Sequence, residues 1–115
     1  SPEDQTPVDP QDIRHEEVDV ALAINRIHSV TTMQIRIIQA ARAGLRSFVA
    51  DNVPVVGFDG EAPGFFWLVG QGGYGIMTSP AMSRLTAGLI TSDRVPVDIA
   101  EYGISRQELD PSRLR

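Results

Sequence analysis

Several things are missing from this chain of 115 residues, and each absence closes a route. It has no cysteine, so it holds neither a disulfide framework nor a thiolate metal site, and cysteine usage says nothing about redox compartment. It also has no lysine, since arginine supplies every charge in the Lys+Arg total of 10. Schiff-base chemistry on a lysine and a P-loop lysine are thereby excluded within the chain. Aromatic residues make up only 6%. No long apolar run exists either. Ala62 to Ser83 carries no charge, but glycines, prolines and polar residues interrupt it, and its strongly apolar part is only Phe65 to Val69. That is far short of a membrane span.

What is present fits one globular domain with a modest core, because hydrophobic content is 42% and charged content 22%. A net charge of −5 makes the chain a poor general binder of nucleic acid. The leading segment SPEDQTPVDPQDIRHEE is acidic and proline-rich, with Pro2, Pro7 and Pro10, unlike a signal peptide. The expectation is a soluble, cytoplasmic protein.

Val20, Ile24 and Ile27 recur at helical spacing, and acids crowd the start, which predicts a helix from about Glu16 to Val30 closed by Thr31-Thr32. Met33, Ile35 and Ile37 alternate with Gln34, Arg36 and Ile38, and Met33 to Val49 reads as a long strand bent near Gly44. A helix over Ala40 to Ala43 is the alternative there. Asp51-Asn52 marks a turn. Val53 to Phe58 and Phe65 to Val69, six residues apart, then read as a hairpin with a longer loop. Ser79-Pro80 has the form of a cap followed by the first helical residue, and Ala81, Met82, Leu85 and Leu89 share a face of a helix ending near Thr91. The rest is polar, with one short helical turn expected around Asp98 to Tyr102.

The stretch GFFWLVGQGGYGIMTSPAM places Gly70, Gly72 and Gly75 in G-x-G-x-x-G spacing. A dinucleotide fingerprint also needs a parallel βαβ unit, a helix starting within the glycines and an acid about twenty residues on. Only 40 residues follow Gly75, with no convincing second strand, and Ser79-Pro80 places the helix start beyond the last glycine. Asp93 has roughly the right separation but lies in a polar loop. The Rossmann reading is rejected. A strand, a glycine turn and a capped helix remain. Either the glycines only supply unusual backbone angles, or they let the backbone of Gly72 and Gly73 approach a flat or anionic ligand.

The segments AGLRSFVADNVPVVGFDGEAPGFFWLVGQGGYG and FFWLVGQGGYGIMTSPAMSRLTAGLI resemble FAD-dependent oxidoreductases of the D-amino acid oxidase superfamily. Within it they are most similar to bacterial D-amino acid dehydrogenases, D-arginine dehydrogenase among them. DVALAINRIHSVTTMQIRIIQAARAGLRSF fits the same pattern as a substrate-domain helix and strand. The resemblance runs along the whole chain, yet covers only the last third of such an enzyme. The expected fold is α+β: antiparallel strands with a substrate-domain helix and a C-terminal strand, glycine loop and helix, lacking the N-terminal βαβ FAD-binding fold. The expected parts are a substrate-domain-like segment at 1–50, the C-terminal part of the FAD-binding domain at 51–92 and a polar tail at 93–115.

The resemblance implies oxidation of D-amino acids or related amines to imino acids by hydride transfer to FAD, with the chain inactive on its own. By match, Arg46 binds the substrate carboxylate, and Gly73 lies beside substrate and flavin with its carbonyl open to the substrate amine. Gly72, Gly73, Tyr74, Gly75 and Ile76 line the isoalloxazine edge. Met77 stands where a polar residue is common. FAD is held only in part, and the implied partner is the polypeptide or domain carrying the rest of its site. No residue is an obvious base. His15 and His28 lack metal-ligand spacing, Asp9, Asp12, Glu16, Glu17 and Asp19 read as a solvated surface, and no metal is expected. Phe66 and Trp67 read as core. The alternative is a non-enzymatic binding or assembly module derived from a flavoenzyme, self-associating through FFWLV and the Leu85/Leu89 face.

Overall fold

The computed structural model describes Asp4 and residues 6–115; Pro2 of the leading segment lies outside the described residues. The chain is α+β, with helices and one two-stranded antiparallel sheet, and it divides into two compact units, Ser1–Leu45 and Arg46–Arg115. No helix among the described residues is long and apolar enough to cross a membrane.

The first unit carries α1, Glu17–Val30. Glu17 and Asp19 sit in its first turn, where the helix dipole favours acids. Thr31 closes it in extended conformation, with both its backbone N–H and its hydroxyl donating to the Ile27 carbonyl. The expected strand over Met33 to Val49 does not form, and neither does a helix over Ala40 to Ala43. The reason is pairing. A strand is defined by a neighbour that accepts its backbone hydrogen bonds, and alternation alone supplies none. Here the amides go to side chains instead: the Met33 N–H donates to the Thr31 hydroxyl at 3.3 Å and the Ile35 N–H to Nε2 of His28 at 3.4 Å.

In the second unit, β1 (Val55–Phe58) pairs with β2 (Phe66–Val69), in register Val55 to Val69 and Phe58 to Phe66. Phe58 and Phe66 pack edge to face at 4.9 Å between centroids, as do Phe65 and Trp67 at 4.8 Å. The connecting loop is held by Asp59. One of its oxygens accepts the Trp67 indole N–H at 2.8 Å, and the other accepts the amides of Glu61 and Ala62 at 2.7 and 2.9 Å. These donors, the Trp67 indole first, hold the Asp59 carboxyl at about 2, below its ordinary 3.8. The stabilisation is therefore complete above pH 3.8 and is lost as pH falls through about 2. Melting curves collected from pH 5 to pH 2 should show Asp59→Asn with a shallower acid dependence than the parent. Equal slopes would assign the acid sensitivity to other carboxylates.

α2 runs from Gly75 to Ser92. Leu85 and Leu89 from its buried face join Val56 of β1, Ile99 and Leu109 to form the core, with Val53, Phe66, Met82 and Val95 packed around it. Burial of Leu85 and Leu89 removes them from any self-association surface, and to that extent corrects the expected assembly face. The helix ends at Asp93, in left-handed conformation, with its amide bonded to the Leu89 carbonyl and that of Arg94 to the Gly88 carbonyl.

Residues 93–115 are polar in composition but are packed in. They form α3 (Val97–Ala100), α4 (Arg106–Leu109) and a 3-10 turn (Pro111–Leu114), which bury Ile99, Leu109 and Pro111 respectively. Ser105 and Glu108 make a reciprocal capping box at the start of α4. Arg113, with a side chain only 15% exposed, pairs with Asp51 at 2.8 Å and donates to the carbonyls of Val53 and Pro54. The end of the chain is thus tied to the segment that enters β1.

Candidate functional site

The glycine loop leaves β2 at Val69 and delivers the chain to α2 within five residues, Gly70 to Tyr74. Gly70 and Gly72 have φ of +72° and +53°, angles that a side chain disfavours. The Tyr74 amide returns to the Gln71 carbonyl at 3.1 Å, and α2 begins at once with Gly75. This start corrects the expectation of a helix beginning at Ser79-Pro80. Pro80 lies inside the helix and lacks the N–H that would bond to the Ile76 carbonyl. The Ser79 hydroxyl donates to that same carbonyl at 2.9 Å, so the acceptor is satisfied and the helix continues through the proline. A helix opening within the glycine run meets one Rossmann criterion. The strands beside it are antiparallel, however, so the loop follows a hairpin and not a βαβ unit.

An irregular segment, Arg46 to Val49, lies along this loop within the same unit. The Gly72 amide donates to the Ser47 carbonyl at 3.0 Å. Around that bond each loop glycine faces one residue of the segment. A Cβ built on Gly70 would contact Val49 at 3.4 Å, and one on Gly72 would run into the Phe48 ring, with Cδ1 and Cζ at 3.0 Å and Cε1 closer still. One on Gly73 would come to 2.7 Å from Nη1 of Arg46 and 3.2 Å from its Cζ. A real Cβ is essentially never as close as 2.7 Å, so the absence of side chains here is what lets the guanidinium and the ring sit against the loop backbone.

The structure therefore places the Arg46 guanidinium directly against Gly73, with Gly72, Tyr74, Gly75 and Ile76 contiguous with it. Tyr74, Ile76 and Met77 form an exposed rim, Ile76 at 96%. Tyr74 gives α2 no side-chain cap, and the first turn contains no acid. The opening amides of α2 keep the donor capacity and partial positive charge of a helix N-terminus. The Nε2 of Gln71 is buried without a hydrogen-bond partner, an arrangement that costs about 1–3 kcal/mol unless an acceptor meets it.

Three contributors escape a reading of the sequence: Ser47, Phe48 and Gln71. Trp67 reads as core from sequence, but its indole is also committed to Asp59. His15 and His28 belong to the first unit, and among the described residues no three His, Cys, Asp or Glu side chains cluster as a metal site would require.

Compared with known families, residues 2–89 match the family described as FAD dependent oxidoreductase. The match takes in α1, the hairpin, the glycine loop and α2 as far as Leu89.

Proposed function

Because this chain belongs to the FAD-dependent oxidoreductase family, we propose that it forms the C-terminal part of a flavoenzyme that oxidises D-amino acids, or related amines, to imino acids by hydride transfer to FAD. The observation that carries the reading is the Arg46 guanidinium lying against Gly73. It brings a carboxylate-binding fork to the loop that leads into α2.

The residues present fit a flavin in two respects. An exposed apolar rim of Tyr74 and Ile76 flanks the loop. The unpartnered Gln71 amide and the opening amides of α2 offer donors to ring carbonyls. Gly72, Gly73, Tyr74, Gly75 and Ile76 would hold the isoalloxazine edge. When bound there, FAD supplies the two-electron acceptor for the C–H bond beside the substrate amine.

The chain's own residues orient the substrate. Arg46 keeps its charge at any working pH and pairs bidentately with a carboxylate. The Gly73 carbonyl accepts a hydrogen bond from the substrate amine. With carboxylate and amine fixed at two points, the Cα–H is left to face the ring. The imino acid formed then hydrolyses without the enzyme.

The missing share of the cofactor site belongs to a βαβ nucleotide-binding unit. Purified alone, the chain is expected to be colourless and without turnover of D-amino acids. Mixed or co-expressed with such a unit, it should yield yellow protein that reduces a dye in their presence. Stoichiometric FAD retained by the chain alone contradicts the divided site, and a yellow assembly inert toward D-amino acids contradicts the substrate assignment.

The exposed rim of Tyr74, Ile76 and Met77 favours a second reading, in which this surface docks a partner chain without chemistry. Size-exclusion of the isolated chain separates the two, since a monomer that gains activity with the nucleotide-binding unit speaks for the enzyme.

A further inference from the structure

Arg46 and Gly73 meet only if the segment Arg46 to Val49 and the glycine loop keep one register, and the backbone tie between the two is the Gly72 to Ser47 bond. One hydrogen bond permits rotation about its own axis. What opposes rotation is packing on either side of it. Val49 stands against Gly70 before the bond, and the Phe48 ring stands on Gly72 at the bond itself. Gly72 holds φ at +53° and, as a glycine, has other backbone conformations open to it. Phe48 is 44% exposed and is not part of the buried core cluster, so core packing does not account for its position.

We propose that Phe48 is a positioning residue of the site: its ring on Gly72 fixes the loop so that Gly73 meets the Arg46 guanidinium. This deepens the functional reading above and rests on it only for the identity of the ligand that the pair receives. The positioning itself is a property of this chain. Without the ring, the loop turns about the Ser47 to Gly72 bond, and Gly73 moves off the guanidinium while the core beneath α2 stays intact.

Three variants of the full chain, Phe48→Ala, Phe48→Leu and Phe48→Tyr, test this by NMR. In Phe48→Ala the Gly72 amide should exchange with solvent about tenfold faster, as a local opening requires, with the amides of Leu85 and Leu89 unchanged. The nuclear Overhauser contact from the Arg46 Nε–H to the Gly73 Hα should disappear. Phe48→Tyr, which keeps a ring, should restore both, and Phe48→Leu should fall between. Retention of the contact and of Gly72 protection in Phe48→Ala overturns the proposal. So does a uniform loss of protection over α2, which would make the ring an ordinary stabilising group.

A second arm uses acetate as a carboxylate probe, read at the Arg46 Nε–H resonance. The parent should respond, and Phe48→Ala should need about tenfold more acetate for the same change. A parent that does not respond removes the carboxylate reading of Arg46, and the exchange and contact data still decide the role of Phe48. A parent response that is unchanged in Phe48→Ala overturns the positioning role.

Discussion

In the flavoenzyme completed by its nucleotide-binding part, Arg46→Met is expected to lower kcat/KM for a D-amino acid by about two to three orders of magnitude. The size is set by the bonds lost. A hydrogen bond to a charged group contributes about 1.5–3 kcal/mol, and a bidentate pair supplies two. Allowing for their coupling, about 3–4 kcal/mol disappears, and each 1.36 kcal/mol is a factor of ten. Arg46→Lys keeps the charge but presents a point donor in place of a planar fork, so it should recover only part of the loss. The decisive control is the amine that corresponds to the substrate without its carboxylate. It has nothing for the guanidinium to hold, so parent and Arg46→Met should oxidise it at similar low rates. Equal losses on amino acid and amine would instead show that Arg46 supports the loop or the flavin and not the carboxylate.

Leu85→Ala should have the largest effect on stability. Leu85 is 2% exposed within a small buried cluster with Val56, Leu89, Ile99 and Leu109, and it is one of the two largest fully buried side chains among the described residues. Truncating a buried leucine costs about 2–5 kcal/mol, through lost transfer energy and the cavity left behind. A unit of the length of Arg46–Arg115 has a total stability of about 4–10 kcal/mol at the usual per-residue value. The substitution therefore consumes about half of it. The melting temperature should fall by about 10–25 °C, given that 1 kcal/mol moves a domain of this size by several degrees. Ile90→Ala, on the same helix but 51% exposed, should change stability by less than about 0.5 kcal/mol. Similar melting temperatures for the two variants would mean that α2 does not hold the core in solution.

Arg46 and Leu85 differ in how far sequence alone reaches them. Leu85 is legible from helical spacing, whereas Arg46 and the glycines are reached through likeness to a family, since nothing in the residues alone separates a ligand-binding arginine from a surface one. The α1 boundary is legible because acids at one end, Thr31 at the other and a 3.6-residue apolar period agree. The hairpin is legible because Asp59-Gly60 and Pro63-Gly64 punctuate two apolar runs. Ser79-Pro80 misleads about the start of α2 because it has the form of a cap, whereas the hydroxyl instead serves the carbonyl that the proline leaves. Met33 to Val49 misleads because alternation records a side-chain pattern, and pairing depends on a distant neighbour. Leu109 gives no signal because it is a single apolar residue among polar ones, and only tertiary packing shows that it is covered.

The proline inside α2 has a mechanical consequence. Between Gly75 and Ser79 the helix is fastened to its later turns by one rung fewer than a continuous ladder provides, since the Ile76 carbonyl is met by the Ser79 hydroxyl of the same turn. Below it, two leucines clamp the remaining turns to the sheet. The upper turn is thus hinged where the lower part is bolted, and it is able to tilt toward whatever occupies the loop without prying the core apart.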